Sequence, residues 1–396
     1  MNETLISEMR EAFKDKFKSL EGTRTYFAPG RVNLIGEHID YSGGYVFPCA
    51  LTIGTYAVVR PRKDDKFLFY SNNIKRDGVI GFTLKDLRPK MRKGWTIYPE
   101  GVIWALGLKG FKPSFGLEVV IGGDIPSGAG LSSSASLEVL TGYFLRDVYG
   151  WDSEKLTNID LALVGKKAEN DYCGVNSGIM DQFASAMGKT DNAIYLNTST
   201  LEYDYAPITM AGRKIVVTNS NKPHSLVSSK YNERRAESDQ ARDILKAVEK
   251  KMVNLCDIDM EEFYRIADVI KDPLVFKRAH HAISENDRVK QSRLALKAGN
   301  IHKFADMINE AGESLRYDYE ATCYETDVLV DAARIQPGVL CSRQTGGGWG
   351  GCTVSIVDDD YVDSFEKNVG AIYAKRTDYK ASFYVVSVGS GPCRID

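Results

Sequence analysis

Apolar residues at Leu5, Met9 and Phe13 recur at helical spacing and predict an amphipathic N-terminal helix. Residues 55–60 (TYAVVR) and 66–71 (KFLFYS) read as β-strands. From 115 to 121 the chain alternates, with Leu117, Val119 and Ile121 on one face. A Gly/Ser loop covers 122–134, after which Leu137, Leu140, Phe144 and Val148 keep a helical period that Gly150 ends. Another helix is expected from about 153 to 172. Residues 214–218 (KIVVT) form a strand, a charged helical stretch follows over about 226–252, and further helices cover 260–315. A loop near Tyr317 precedes a strand at 339–342, a glycine-rich hairpin, a strand at 353–357 and a last strand at 382–388. Strands and helices do not alternate strictly, so the pattern predicts an α+β protein. The change of character after Asn197 divides the chain into domains 1–205 and 206–396.

Composition narrows the class. With 396 residues, 43% hydrophobic and 26% charged, the chain can bury a large core and is neither disordered nor fibrous. Lys plus Arg number 51 against 53 Asp plus Glu, a net charge of −2 that points to no nucleic-acid or membrane partner. The seven cysteines are scattered without a CxxC pair, which argues against a disulfide framework or a structural zinc site. The N-terminal segment carries charges every few residues, unlike a signal peptide, and the expected location is cytoplasmic.

Three glycine clusters carry the candidate chemistry. Residues 126–136 (PSGAGLSSSAS) follow a predicted strand and open a predicted helix. Glycines admit a ligand close to the backbone, and free N–H groups and hydroxyls at a helix start favour an anion such as phosphate. The Walker A pattern fails, because Ala129 and Gly130 stand where Lys and Ser/Thr belong. Residues 346–351 (GGGWGG) satisfy GxGxxG, but a strand rather than a helix follows, so the dinucleotide reading is rejected and a hairpin is expected. Residues 29–44 (PGRVNLIGEHIDYSGG) crowd Arg31, Glu37, His38 and Asp40 into what reads as a loop. Arg can neutralise a phosphoryl group, and paired carboxylates can grip vicinal hydroxyls. A solvated loop with internal ion pairs is the alternative.

Taken together, these clusters resemble the GHMP kinases of sugars and other small molecules, and among them the galactokinase family. Residues 29–44 are similar to that family's PGRVNLIGEHTDYNGG signature, 126–136 to its ATP loop, and 341–352 (CSRQTGGGWGGC) to its third motif. Residues 178–183 (GIMDQF) and 231–237 (YNERRAE) match further stretches. Departures are Ile39 for Thr, Ser42 for Asn, Gln344 for Met, Gly347 for Ala, Trp349 for Phe, and residues 311–315 (AGESL) where the family often has SHxSL.

The resemblance implies a two-domain fold with the active site in the cleft between domains. It implies ATP-dependent phosphorylation of α-D-galactose at the 1-hydroxyl, the first step of the Leloir pathway. Asp181 is then the catalytic carboxylate and Arg31 its electrostatic partner beside the γ-phosphate. Glu37, His38, Asp40 and Tyr231 bind the sugar. Gly128, Gly130, Ser132, Ser133 and Ser134 lie along the phosphates of ATP. Ser133, or a neighbouring serine, and Glu169 hold Mg²⁺. Trp95 and Tyr98 sit near the adenine, although by spacing alone they fit a core equally well, as does Tyr231. A monomer or weak dimer is expected. Two other readings remain open from sequence: a kinase of N-acetylgalactosamine, arabinose or a uronic acid, and a sensor that binds sugar and ATP without turnover.

Overall fold

The computed structural model describes all residues except 92, 127–129, 209 and 223–226. Gly128 of the expected phosphate loop therefore lies outside the described residues. Helix α1 (Glu3–Phe17) precedes strands β1 (Arg24–Asn33), β2 (Tyr45–Val46), β3 (Pro48–Pro61), β4 (Phe67–Ser71) and β5 (Val79–Phe82). Next come α2 (Ile97–Leu108), β6 (Leu117–Gly123), α3 (Ser133–Val148), α4 (Asn158–Lys167), α5 (Met180–Met187), β7 (Asn192–Asn197), β8 (Tyr203–Pro207) and β9 (Arg213–Asn219). Helices α6 (Val227–Val248), α7 (Met260–Ile266), α8 (Pro273–Lys297), α9 (Ile301–Tyr317) and α10 (Tyr324–Arg334) lead to β10 (Val339–Thr345) and β11 (Cys352–Asp358). Helix α11 (Val362–Arg376), β12 (Ser382–Val386) and β13 (Cys393–Arg394) end the chain.

The first sheet has the order β13-β1-β3-β6-β4-β5, the second β10-β11-β9-β12, and the third β2-β7-β8. Strand β13 joins the first sheet by pairing antiparallel with β1, Phe27 facing Cys393, so the last residues return to the part of the fold built before residue 205. The α+β class agrees with the sequence pattern.

The structure corrects several local expectations. Residues 29–33 are not loop but the end of β1, where Val32 and its neighbours pack into the main core. The helix expected from about 153 begins at Asn158, because Thr157 and Asp160 form a reciprocal capping box that fixes its first turn there. It then relaxes into a π-turn, Ala168–Cys173, a wider coil that often marks functional positions. Helices α10 and α11 were not read from the sequence. Their apolar faces, Leu329, Ala333, Phe365 and Val369 among them, bury a separate core against Val216 of β9 and Val357 of β11.

A register shift in the β1–β3 pairing falls between Pro29 and Arg31. Gly30 occupies the shift, where a Cβ would lie 2.9 Å from the carbonyl oxygen of Leu131. Only glycine lets the strand press this close to the Gly/Ser loop. The GxGxxG segment is the β10–β11 hairpin turn, as expected, with Thr345 opposite Cys352. Gly346 there has a positive φ of 85°, and a Cβ on it would be 2.8 Å from the Gly130 oxygen. The three glycine clusters thus meet at one point, each bare backbone serving as the surface of the next.

Candidate active site

At this junction lies a cavity of about 500 Å³. Its wall takes Arg31, Glu37, His38 and Asp40 from the first cluster and Gly130 and Ser132–Ser134 from the second. Glu169 and Asp181 come from the π-turn and α5, Tyr231 from α6, and Gly346 and Gly347 from the hairpin. The fold therefore brings together eleven of the site residues expected from sequence. Trp95 and Tyr98 are not part of this wall. Both pack against the main core, Trp95 with its ring centroid 6.2 Å from that of Phe69.

Arg31 is the centre of the polar array and is only 3% exposed. Its Nε and Nη2 donate to the two oxygens of Asp181, each at 2.7 Å, and its Nη1 donates to the Gly130 carbonyl at 2.7 Å. Burial works against the guanidinium charge, but Asp181, Glu37 and Asp40 outweigh it and raise the Arg31 pKa. Asp181 occupies the first turn of α5, where the helix dipole favours a carboxylate. The Ser132 hydroxyl also donates to Asp181. Ser132 reaches it from a left-handed backbone, φ 60°, at the start of α3.

The residues of the first cluster divide by environment. Glu37 Oε1 accepts from Arg343 Nη1 at 3.2 Å, Thr345 Oγ1 at 3.0 Å and the Gly346 N–H at 2.9 Å. This carboxylate ties the first cluster to β10 and the hairpin. His38 Nδ1 lies 2.8 Å from the Tyr41 hydroxyl, which is 2.7 Å from that of Tyr319. Burial pushes the His38 pKa down to about 3, so its imidazole is neutral at pH 7. Asp40 Oδ2 accepts from the Met180 N–H at 3.3 Å. Burial, with the nearby charge of Asp181, raises the Asp40 pKa to about 6. Gly178 packs on this carboxylate, and a Cβ there would lie 1.8 Å from Asp40 Oδ2. Tyr231 stacks obliquely on His38, with centroids 5.3 Å apart.

Glu169 is the carboxylate nearest the serines. Its Oε1 accepts from Ser134 Oγ at 3.1 Å, so Ser134 rather than Ser133 is the serine bonded to it. Ser177 Oγ and Gln182 Nε2 donate to Oε2. Burial raises the pKa of Glu169. Among the described residues no three His, Cys, Asp or Glu side chains group as a metal cage.

Comparison with known proteins decides the family. Residues 11–61 match the galactokinase galactose-binding signature, 98–189 the GHMP kinase N-terminal domain and 292–375 the GHMP kinase C-terminal domain. A curated galactokinase of Fusobacterium nucleatum is 46% identical over 391 residues, covering 99% of this chain and 100% of the relative. The chain belongs to the galactokinase family. A second galactokinase, from Lactiplantibacillus plantarum, is 44% identical over 98% of both chains. The crystal structure of Lactococcus lactis galactokinase complexed with galactose superposes with a TM-score of 0.94 at 43% identity, over 98% of this chain and 100% of the other. Methanococcus jannaschii mevalonate kinase, 16% identical with a TM-score of 0.66 over 93% of this chain, shares the fold.

In this member of the galactokinase family, sequence reasoning passed over several residues that build the site. Gln182 and Ser177 hold Glu169, yet only Gln182 fell inside a quoted motif. Arg343 is fully buried within β10, and its neighbours Ser342, Gln344 and Thr345 give no local sign that it is buried with an internal partner. Tyr319 lies just beyond α9, and nothing local marks it as a neighbour of Tyr41.

Proposed function

We propose that the chain transfers the γ-phosphoryl group of ATP to the 1-hydroxyl of α-D-galactose, giving galactose 1-phosphate and ADP. The observation that carries this reading is the two-point grip of buried Arg31 on Asp181, where the galactose-signature loop meets the Gly/Ser loop. Asp181 accepts the hydroxyl proton as the sugar oxygen attacks phosphorus and the bond to the β,γ-bridging oxygen breaks. Arg31 orients Asp181 and offsets charge gathering on the transferred group. Glu37, neutral His38, Asp40 and Tyr231 hold sugar hydroxyls. Gly130 and Ser132–Ser134 face the phosphates. No covalent intermediate is needed, since positioning and electrostatics suffice.

The oxygen-only donor set of Glu169 and Ser134 suits Mg²⁺, which takes one or two protein oxygens and completes its shell with phosphate and water. Those two residues would hold the ion, with Ser133 the adjacent alternative. Bound Mg²⁺ supplies charge neutralisation on the phosphate oxygens. On a domain division near residue 205, the two loops of the cleft belong to one domain and the hairpin to the other.

Galactose is favoured over other sugars by the location of two departures from the family signature. Ile39 is fully buried in the core, and Ser42 is 6% exposed, its N–H bonded to the Ile39 carbonyl. Neither lines the cavity. ADP release from Mg·ATP with galactose, glucose, N-acetylgalactosamine, arabinose and glucuronate tests the reading. Rapid release with galactose alone, yielding the 1-phosphate, is expected. Release with another sugar in its place overturns the substrate, and binding of both ligands without release overturns the activity.

A further inference from the structure

The transfer just described gives no task to Glu138, a buried carboxyl group at the edge of the site. Glu138 on α3 is 1% exposed, and Gln182 on α5 is fully buried beside it. The Gln182 amide nitrogen donates to Glu138 Oε2 and to Glu169 Oε2, each at 2.9 Å. Both hydrogens of that NH₂ group are thereby committed, one to each carboxyl. Two oxygens of the pair, Glu138 Oε1 and Gln182 Oε1, have no partner among the described residues. Burial raises the Glu138 pKa, and its Oε2 serves the pair as the acceptor for one amide hydrogen. Helix α4 presses on both side chains. A Cβ at Gly165 would lie 3.0 Å from Gln182 Cγ and 3.3 Å from Glu138 Cβ. The amide is thus clamped between three elements and cannot easily rotate.

We propose that the Glu138–Gln182 pair positions Glu169 for the divalent cation: the amide fixes Oε2 of Glu169, and Oε1 is left at Ser134 and the phosphate cavity. The inference rests on the cation reading of Glu169 given above. The pair acts only through Glu169 and is not catalytic itself. Partners of this kind, bonded to a metal-binding carboxylate, commonly alter metal affinity about 10–100-fold when removed.

The test is a Mn²⁺ titration, read by electron paramagnetic resonance, of the full chain saturated with a non-hydrolysable ATP analogue and galactose. Galactose affinity and melting temperature are measured alongside. Gln182→Met is expected to weaken Mn²⁺ about 10–100-fold while galactose affinity stays within about two-fold, a split that general loosening of the fold does not give. Should that variant melt early, Gln182→Leu makes the same test, since it fills a similar volume and carries no N–H or O–H donor. Glu138→Gln is expected to retain Mn²⁺ binding, because its amide oxygen still accepts from the Gln182 nitrogen. Glu169→Gln must weaken Mn²⁺. If it does and the Gln182 variants do not, the positioning role is overturned and the cation site stands. If Glu169→Gln is silent, the cation reading falls and this inference with it. Equal losses in Glu138→Gln and Gln182→Met overturn the role of Glu138.

Discussion

Arg31 holds both carboxylate oxygens of Asp181 at 2.7 Å while its third nitrogen anchors the Gly130 carbonyl. One side chain therefore sets the distance between the carboxylate and the Gly/Ser loop. Asp181→Asn keeps the shape but removes the proton acceptor. Turnover is expected to fall about 10²–10⁴-fold, with affinity for an ATP analogue within a few-fold of wild type. Steady-state kinetics and calorimetry check the pair of values, and turnover close to wild type would falsify the assignment of Asp181.

Glu37 and Arg343 form an ion pair with side chains 2% and 0% exposed. Glu37→Ala leaves a buried guanidinium without its counter-charge, a loss of about 3–5 kcal/mol in stability. Denaturant unfolding is expected to show that loss, together with weaker use of galactose. A variant as stable as wild type would remove Glu37 from the frame of the site and leave it only the sugar.

Asp40 has a pKa raised from 3.8 to about 6, chiefly by burial and then by the charge of Asp181. A raised folded-state pKa means the native state holds its proton more tightly than the unfolded chain, so this contribution to stability is fully present below about pH 4 and fades as pH rises through 6. Asp40→Asn is therefore expected to gain stability relative to wild type at pH 7–8, with the gap closing toward pH 4. Sugar binding runs the other way, because only the ionised carboxylate is purely an acceptor. The KM for galactose is expected to climb as pH falls below 6, and a flat profile between pH 5 and 7 contradicts the assignment.

Gly178 leaves no room for a side chain, since its Cβ would overlap Asp40 Oδ2. Gly178→Ala is expected to cost about 1–3 kcal/mol from overpacking and to raise the KM for galactose more than that for ATP. Equal changes in both KM values, or none, would show that Asp40 does not address the sugar.

Ser134 is bonded to Glu169, and Ser133 has no such contact in the structure. Ser134→Ala is expected to demand several-fold more Mg²⁺ for half-maximal rate, and Ser133→Ala less. The reverse order in a Mg²⁺ titration would return the cation to Ser133.

Much of the architecture was legible because local sequence obeys local physics. Helix α1 follows from Leu5, Met9 and Phe13, and Met9 and Phe13 are its buried face. The hairpin at 346–351 follows from glycines that adopt positive φ between two strands. Strand β1 was missed because its Pro29-Gly30-Arg31 segment breaks strand propensity, and pairing with β3 and β13 overrides it. Helices α10 and α11 escaped notice, and their apolar stripes make sense only against the β9–β11 surface they cover.

The sequence by itself determined the chemistry on offer: an arginine and an aspartate in fixed motifs, a glycine-rich helix start with three successive serines, and a signature segment with two acids. Which glycines are obligatory came only from distant contacts, such as Gly30 against the Leu131 carbonyl and Gly178 against Asp40. Tertiary structure alone decided how those groups are shared. It assigned Glu37 to Arg343, Glu169 to Ser134 and Gln182, and Trp95 and Tyr98 to the core. The reason is physical. A motif fixes which donors and acceptors exist within a few residues, but a buried polar group must find its partner among whatever the packing of distant segments brings within 3 Å. Glu37 and Arg343 are 306 residues apart along the chain, and no local pattern encodes their meeting.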